Sequence, residues 1–103
     1  MSQWLKLIEV EKVPLGESRC VELQGKPFGI FHLEDGFHVI DNLCPHKGAP
    51  LHEGFVQNGV VVCPWHQWEF QVSDGKCLSL PNQAVESYPV QIKEESLWIE
   101  VKS

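Results

Sequence analysis

The segments CPHKGAPL (residues 44–51) and CPWHQWEF (residues 63–70) decide how this chain is organised. Each segment supplies one thiol and one imidazole, spaced Cys-x-His in the first and Cys-x-x-His in the second. Sixteen residues separate His46 from Cys63. A proline follows each cysteine, where it fixes φ and removes a backbone donor beside the sulfur. These four side chains predict a metal centre.

Two thiols and two imidazoles leave two kinds of metal centre open. They can make a tetrahedral zinc site, or they can hold a [2Fe–2S] cluster with both sulfurs on one iron and both nitrogens on the other. Zinc fingers of this composition usually begin Cys-x₂₋₄-Cys and end His-x₃₋₅-His on a helix. Because each segment here mixes Cys with His, the spacing favours the cluster.

The two segments resemble the signature of the Rieske iron–sulfur proteins, which pairs Cys-x-His with a later Cys-x-x-His. The resemblance implies one Rieske-type [2Fe–2S] cluster, with Cys44 and Cys63 on the buried iron. By the same resemblance, His46 and His66 bind the iron nearer solvent. Further matches surround these positions, namely Gly48, Pro50-Leu51, Glu53-Gly54, Phe70 and Gly75.

Four positions differ from the high-potential members of that family. By the same resemblance, those members carry an extra cysteine in each segment, and the two cysteines form a disulfide. This chain has Ala49 and Trp65 at those positions. They also place a Ser and a Tyr after the second histidine, where this chain has Trp68 and Phe70. Hydroxyl donors to the cluster sulfurs stabilise the reduced state. We therefore expect a low midpoint potential of roughly −150 to 0 mV.

Gln67 follows the second histidine at a position where many relatives have glycine. If the backbone there requires a positive φ, glutamine costs roughly 1 kcal/mol or more. The alternative is a loop that takes a different path.

The rest of the chain predicts an all-β fold. Short apolar runs recur at regular spacing between turn signals such as Asn58-Gly59, and helical periodicity is not sustained anywhere. This pattern is typical of an antiparallel β-sandwich or barrel. The runs expected as strands or extended pieces are 3–10, 18–23, 28–33, 37–40, 51–56, 60–62, 68–72, 77–81, 88–93 and 97–101.

The 103 residues allow one modest core, so we expect a single domain. The Rieske resemblance implies two lobes within it. A base lobe of antiparallel sheets comes from about 1–41 and 82–103, and a smaller cluster-binding lobe from about 42–81 is inserted between them.

Composition narrows the possible partners and location. The chain is 43% hydrophobic, and 14 acidic against 8 basic side chains give a formal net charge of −6. This charge argues against nucleic acid or an anionic membrane as a partner. No secretory signal is evident at the start, and no apolar run approaches the ~20 residues of a spanning helix. We therefore expect a cytoplasmic protein.

The remaining cysteines and histidines receive simpler interpretations. Cys20 and Cys77 are expected as free thiols at half-buried strand positions, with a disulfide between them as the alternative. His32 and His38 are expected at the surface. His52, beside Glu53, is expected there too, with partner docking or proton exchange as the alternative.

Two tryptophans lie within or beside the second segment. We expect Trp65 and Trp68 to shield the cluster or to form part of a docking surface, and Trp68 can equally be a core residue.

No motif for a second cofactor is evident: the sequence has no Gly-x-Gly-x-x-Gly fingerprint, facial triad or Ser/His/Asp arrangement. Catalysis by the chain alone is therefore not expected. The resemblance implies a soluble electron carrier that takes one electron from a flavin reductase and passes it to a terminal oxygenase. The alternatives are the small Rieske subunit of an NAD(P)H-dependent nitrite reductase and a structural zinc-binding module.

Overall fold

The computed structural model describes residues 2–45, 48–65, 67–80 and 82–102. Its regular structure within these ranges is β, apart from short 3-10 turns at Val10–Lys12 and Leu51–Glu53. The expected all-β class is confirmed. The strands are β1 Ser2–Glu9, β2 Ser18–Leu23, β3 Lys26–Leu33, β4 Gly36–Asp41, β5 Phe55–Gln57, β6 Val60–Val62, β7 Glu69–Gln71, β8 Ser87–Tyr88, β9 Val90–Lys93 and β10 Ser96–Lys102.

The strands form three antiparallel sheets with the orders β1-β10-β9, β2-β3-β4-β8 and β5-β6-β7. The first sheet joins the two ends of the chain, because β1 pairs with β10 from Ser2 opposite Lys102 onward. The third sheet is two successive hairpins built from residues 55–71 alone, the first with a two-residue turn and the second with the six-residue connection 63–68. Only this small sheet lies wholly within the segment that carries both metal-binding motifs.

The second sheet separates two buried cores, because side chains alternate between the faces of a strand. On β3, Phe28 and Ile30 face one core, whereas Phe31 faces the other. We name the first the base core, which consists of Leu7, Val13, Phe28, Ile30, Val39, Leu97 and Ile99. We name the second the loop core, which consists of Phe31, Ile40, Cys44, Ala49, Leu51, Val61, Cys63, Phe70, Val72, Cys77 and Val85.

The two-lobe division stays a prediction, but the shared sheet adds a physical detail to it. The loop core is completed by Phe31 of β3 and Ile40 of β4, which belong to the expected base lobe. Neither core is therefore closed without the strands between them. In the described part of the chain, no helix has the length and apolar content needed to cross a membrane.

Two extended pieces predicted from the sequence are wrong in part. Residues 51–53 form a 3-10 turn, because Leu51 is buried and its backbone is drawn back towards Asn42. Residues 77–80 make one isolated bridge, between Cys77 and Phe70. The Leu80 N–H then turns back to the Cys77 sulfur at 3.4 Å, which ends the extended run.

Candidate metal centre

The first loop, residues 44–49, is closed by its own backbone. The Cys44 N–H donates to the Ala49 carbonyl at 2.9 Å, and the Gly48 N–H donates back to the Cys44 carbonyl at 2.8 Å. Gly48 has a φ of +73°, which lets the chain reverse within four residues. The loop therefore presents the cysteine at the start of a tight turn.

The second loop, residues 63–68, repeats this backbone pattern. The Cys63 N–H donates to the Trp68 carbonyl at 2.7 Å, and the Gln67 N–H donates to the Cys63 carbonyl at 2.9 Å. Gln67 has a φ of +63°, so the left-handed conformation falls at the same place as in the first loop. Gln67 therefore has the positive φ that the sequence analysis considered for it. This conformation is unfavourable for a residue with a side chain.

Both thiols lie at the protected end of their loops. Cys44 and Cys63 are 1% and 0% exposed, and both belong to the loop core. Pro45 and Pro64, one residue further on, are exposed. Two soft sulfur donors at equivalent points of two neighbouring loops, shielded from water by apolar side chains, fit a thiophilic metal group.

The structure brings together half of the predicted ligands. Cys44 and Cys63 share one core, whereas His46 and His66 lie outside the described residues. Within the described ranges, no group of three or more His, Cys, Asp or Glu side chains is placed to hold a metal ion. The four-residue ligand set therefore stays a prediction.

The other two cysteines are free thiols, and a disulfide between them is wrong. Their predicted half-burial is also wrong. Cys20 is exposed on β2, and Cys77 is buried in the loop core. Cys77 is covered because its bridge with Phe70 directs it against the small sheet.

His32 and His38, expected at the surface, are half-buried and each makes a side-chain contact. The His32 ring stacks on Phe37 with centroids 3.9 Å apart, and its Nδ1 donates to the Val13 carbonyl at 2.7 Å. The His38 Nε2 lies 2.8 Å from an Asp35 oxygen, and its side chain is 17% exposed. This bond lowers the pKa of Asp35. Both rings are half-buried because they contact neighbouring residues of, or next to, the β3–β4 hairpin.

His52 is half-buried against Asn42, a residue that the sequence reading did not single out. Its Nδ1 lies 2.8 Å from the Asn42 Nδ2, and its Nε2 lies 3.9 Å from a Glu53 oxygen. The contact with Asn42 is structural. Asn42 gave no signal beyond standing two residues before the first cysteine, because a buried polar side chain cannot be told from a loop asparagine by sequence.

Four exposed apolar side chains lie next to or shortly after the buried cysteines in the chain. Trp65 is 60% exposed, whereas Trp68 packs against the loop core and Phe70 is buried within it. Leu43, Leu78 and Leu80 are also exposed, next to or just after the buried cysteines. We call these four, Leu43, Trp65, Leu78 and Leu80, the apolar rim.

Comparison with known proteins places these features in a family. The Rieske [2Fe–2S] domain model matches residues 3–89. The 3-phenylpropionate/cinnamic acid dioxygenase ferredoxin subunit of Photorhabdus laumondii is 36% identical over 103 residues, covering 98% of this chain and 96% of that protein. The ferredoxin component of the naphthalene 1,2-dioxygenase system of Pseudomonas aeruginosa is 30% identical over 100 residues, covering 96% of each.

Solved structures agree with the sequence matches. A protein assigned as the NADH-dependent nitrite reductase small subunit of Mycobacterium tuberculosis superposes with a TM-score of 0.89 at 25% identity, covering 100% of this chain and 98% of that one. A chain from the complex of reduced oxygenase and oxidised ferredoxin in carbazole 1,9a-dioxygenase gives 0.83 at 28% identity, covering 93% and 91%.

Proposed function

The chain belongs to the Rieske [2Fe–2S] family, and we propose that it is an electron-transfer protein whose cluster is held between the first and second loops. The family and its ferredoxin members imply one Rieske-type [2Fe–2S] cluster. The observation that carries the proposal is the equivalence of the two loops. Each places a buried cysteine at the start of the same hydrogen-bonded turn.

The proposed ligands are the Cys44 and Cys63 thiolates and the His46 and His66 imidazoles. When bound, a Rieske cluster accepts and returns a single electron. The protein's part is to hold the two sulfurs in the loop core and exclude water from them. The Trp68 and Phe70 positions bring no hydroxyl, so the proposed midpoint potential stays at roughly −150 to 0 mV.

For partners, we propose a flavin reductase as the donor and the terminal oxygenase of a ring-hydroxylating system as the acceptor. The ferredoxin relatives named above support the acceptor, since they are components of dioxygenase systems. The apolar rim is the proposed contact surface. Residues 42–81 carry three acidic and two basic side chains, whereas the rest of the chain carries eleven and six. We also propose a cytoplasmic location.

The near-neutral charge of residues 42–81, which include the apolar rim, predicts a partner that binds through apolar contacts more than through ion pairs. Electron transfer to the oxygenase should then change little with ionic strength, because screening acts on charges. Trp65→Ala should weaken the reaction with the partner while leaving the cluster spectrum intact. A steep loss of rate with added salt would place the contact on the acidic base lobe instead.

A second candidate is the small subunit of a nitrite reductase. It is favoured by the full-length superposition on the assigned subunit from Mycobacterium tuberculosis. The two candidates differ in assembly. Stable co-purification with a large reductase subunit from the native host would support the second, and recovery of the chain alone would support the free carrier.

The test of the cluster is electron paramagnetic resonance of the purified protein after reduction with dithionite. A rhombic signal typical of mixed His/Cys ligation, with two irons per chain, is expected. Replacing His46 or His66 by alanine should abolish or alter it, whereas His32→Ala should leave it unchanged. A silent sample containing one zinc per chain would overturn the proposal in favour of a structural metal site.

A further inference from the structure

Asn42 is a buried polar residue at the entrance to the first loop. It is 2% exposed, and its backbone N–H donates to the Pro27 carbonyl at 3.2 Å. Its backbone carbonyl accepts from the Leu51 N–H at 2.7 Å. Its side-chain Oδ1 accepts from the His52 N–H at 2.8 Å, and its Nδ2 lies 2.8 Å from the His52 Nδ1. Both ends of the first loop therefore meet at this residue.

The two loops are closed in different ways below the cysteines. The second loop continues into a regular ladder, where Val62 pairs with Glu69 and Val61 pairs with Phe70. Below the first loop, the described residues show one isolated bridge, between Leu43 and Pro50. Proline has no N–H to give to such a ladder. The Asn42 amide and the backbone of residues 51–52 take its place.

The orientation of the amide fixes the tautomer of the His52 ring. Because the Asn42 Oδ1 accepts from a backbone N–H, its Nδ2 must be the atom that faces the His52 ring. Nδ2 only donates, so the His52 Nδ1 must accept and the ring proton sits on Nε2. That nitrogen faces the Glu53 carboxylate at 3.9 Å.

Residues of β2 and β3 contact Asn42 and His52 from the base lobe. The Ser18 hydroxyl on β2 donates to the His52 carbonyl at 2.6 Å. On β3, a Cβ added at Gly29 would lie 2.6 Å from the Asn42 Oδ1, so the amide occupies space that only glycine leaves open. The pair is thus fixed from β2 and β3 as well as from the loop.

We propose that Asn42 and His52 are positioning residues that close the first loop and set the place of Cys44 relative to Cys63. This inference rests on the proposed function, because it assigns a role towards a cluster held by both loops. Without the Nδ1 acceptor, the buried Asn42 amide loses a hydrogen-bond partner. The segments at the two ends of the first loop are then held less firmly together. The second loop, closed by backbone pairs, is not affected in this way.

The test compares His52→Ala with His52→Asn, whose side-chain oxygen can occupy the place of the imidazole Nδ1. His52→Ala should lose its cluster about tenfold faster in the presence of an iron chelator, as expected when a buried donor is left unpaired. It should also show an altered rhombic signal and a changed midpoint potential. His52→Asn should stay within about twofold of the unchanged protein. His38→Ala, in the base lobe, is the control.

The tautomer gives an independent readout on the unsubstituted protein. Nitrogen-15 NMR of the oxidised protein should show the His52 proton on Nε2 and the His32 proton on Nδ1, since the latter donates to a carbonyl. A His52 proton on Nδ1, or equal cluster loss and spectra for the alanine and asparagine variants, would overturn the inference. A protein with no cluster at all would overturn the proposed function while the tautomer could still be read.

Discussion

The first and second loops share the same pair of backbone hydrogen bonds and a left-handed residue at the same place, but the chain on either side of each loop is held differently. Both begin with a buried cysteine and reverse at a left-handed residue. The second loop connects β6 to β7, so its two ends are held together by backbone pairing between these strands. Such pairing depends little on the identity of the side chains. The first loop connects β4 to a 3-10 turn, and its base is held by the backbone bond from Leu51 to Asn42, the Leu43–Pro50 bridge and the buried Asn42 amide.

The difference shows that equal placement of two thiols does not imply equal tolerance to substitution. Backbone pairing survives most side-chain changes, whereas a buried side-chain hydrogen bond is lost when either partner changes. We therefore expect sensitive positions near the first loop to be specific side chains. Near the second loop, they should be positions where the backbone itself is constrained.

The largest effect is expected from replacing either of the two buried loop cysteines. Cys44→Ser and Cys63→Ser should each reduce the iron content from two per chain to near zero, because a thiolate is lost from the buried iron. This expectation follows from the proposed ligand set, and iron analysis and visible absorbance of the purified protein measure it. Cys20→Ser, which changes an exposed thiol on β2, is the matched control. A normal cluster in either variant would show that the loops do not share it.

Gly54 tests the contact between the two loops. It follows the 3-10 turn after the first loop, and an added Cβ would overlap with the carbonyl oxygen of Val62, just before the second. Gly54→Ala should therefore destabilise the protein by about 3 kcal/mol, since backbone must move to make room. Denaturant unfolding measures the change. Glu53→Ala, at the exposed neighbouring position, should cost far less, and equal costs would contradict the close approach.

Tyr88 tests how firmly the end of β4, from which the chain enters the first loop, is held by β8. Its O–H donates at 2.6 Å to Asp41, the residue before Asn42. Burial, together with this bond, raises the pKa of Tyr88 to about 12. The folded state then keeps its proton more tightly than the unfolded state, whose tyrosine pKa is about 10. The stabilisation is present below about pH 10 and is lost as the pH rises towards 12.

We expect this loss to be at most about 2 kcal/mol, because the ring is partly exposed and solvent screens the interaction. The chain has one tyrosine, so phenolate absorbance reports Tyr88 alone. Asp41→Asn should lower its pKa, and Tyr88→Phe should remove the alkaline loss of stability. Titration of the unchanged protein near pH 10 would show that the bond to Asp41 is absent.

The smallest effect is expected from exchanging the residues with positive φ in the two loops. Gly48→Gln should destabilise the protein by about 1–2 kcal/mol, the cost of that conformation for a side chain. Gln67→Gly should stabilise it by up to about 1 kcal/mol, reduced by the extra freedom of glycine in the unfolded chain. Thermal unfolding of the two variants measures the pair. Changes of the same sign would show that the loops are not equivalent at this position.

Much of the fold could be predicted from short-range patterns. Alternating apolar runs and turn residues located β2 and β6 at their observed bounds, because hairpin pairing depends on neighbours in sequence. The 3-10 turn at Leu51–Glu53 was missed because it depends on the bond from Leu51 to Asn42, nine residues away. The covered positions of His32 and Cys77 were missed for the same reason.

The sequence by itself determined the family and supplied the proposed ligands, since the Cys-x-His and Cys-x-x-His spacing depends only on residue order. It also identified Gln67 as the position where a positive φ would be costly. Only the tertiary structure showed that both loops share the same backbone hydrogen bonds and one core, and that the buried Asn42 side chain adds to the backbone bonds below the first of them. The physical reason is that burial and hydrogen bonding join residues that are distant in the chain, such as Ser18, Gly29, Asn42 and His52.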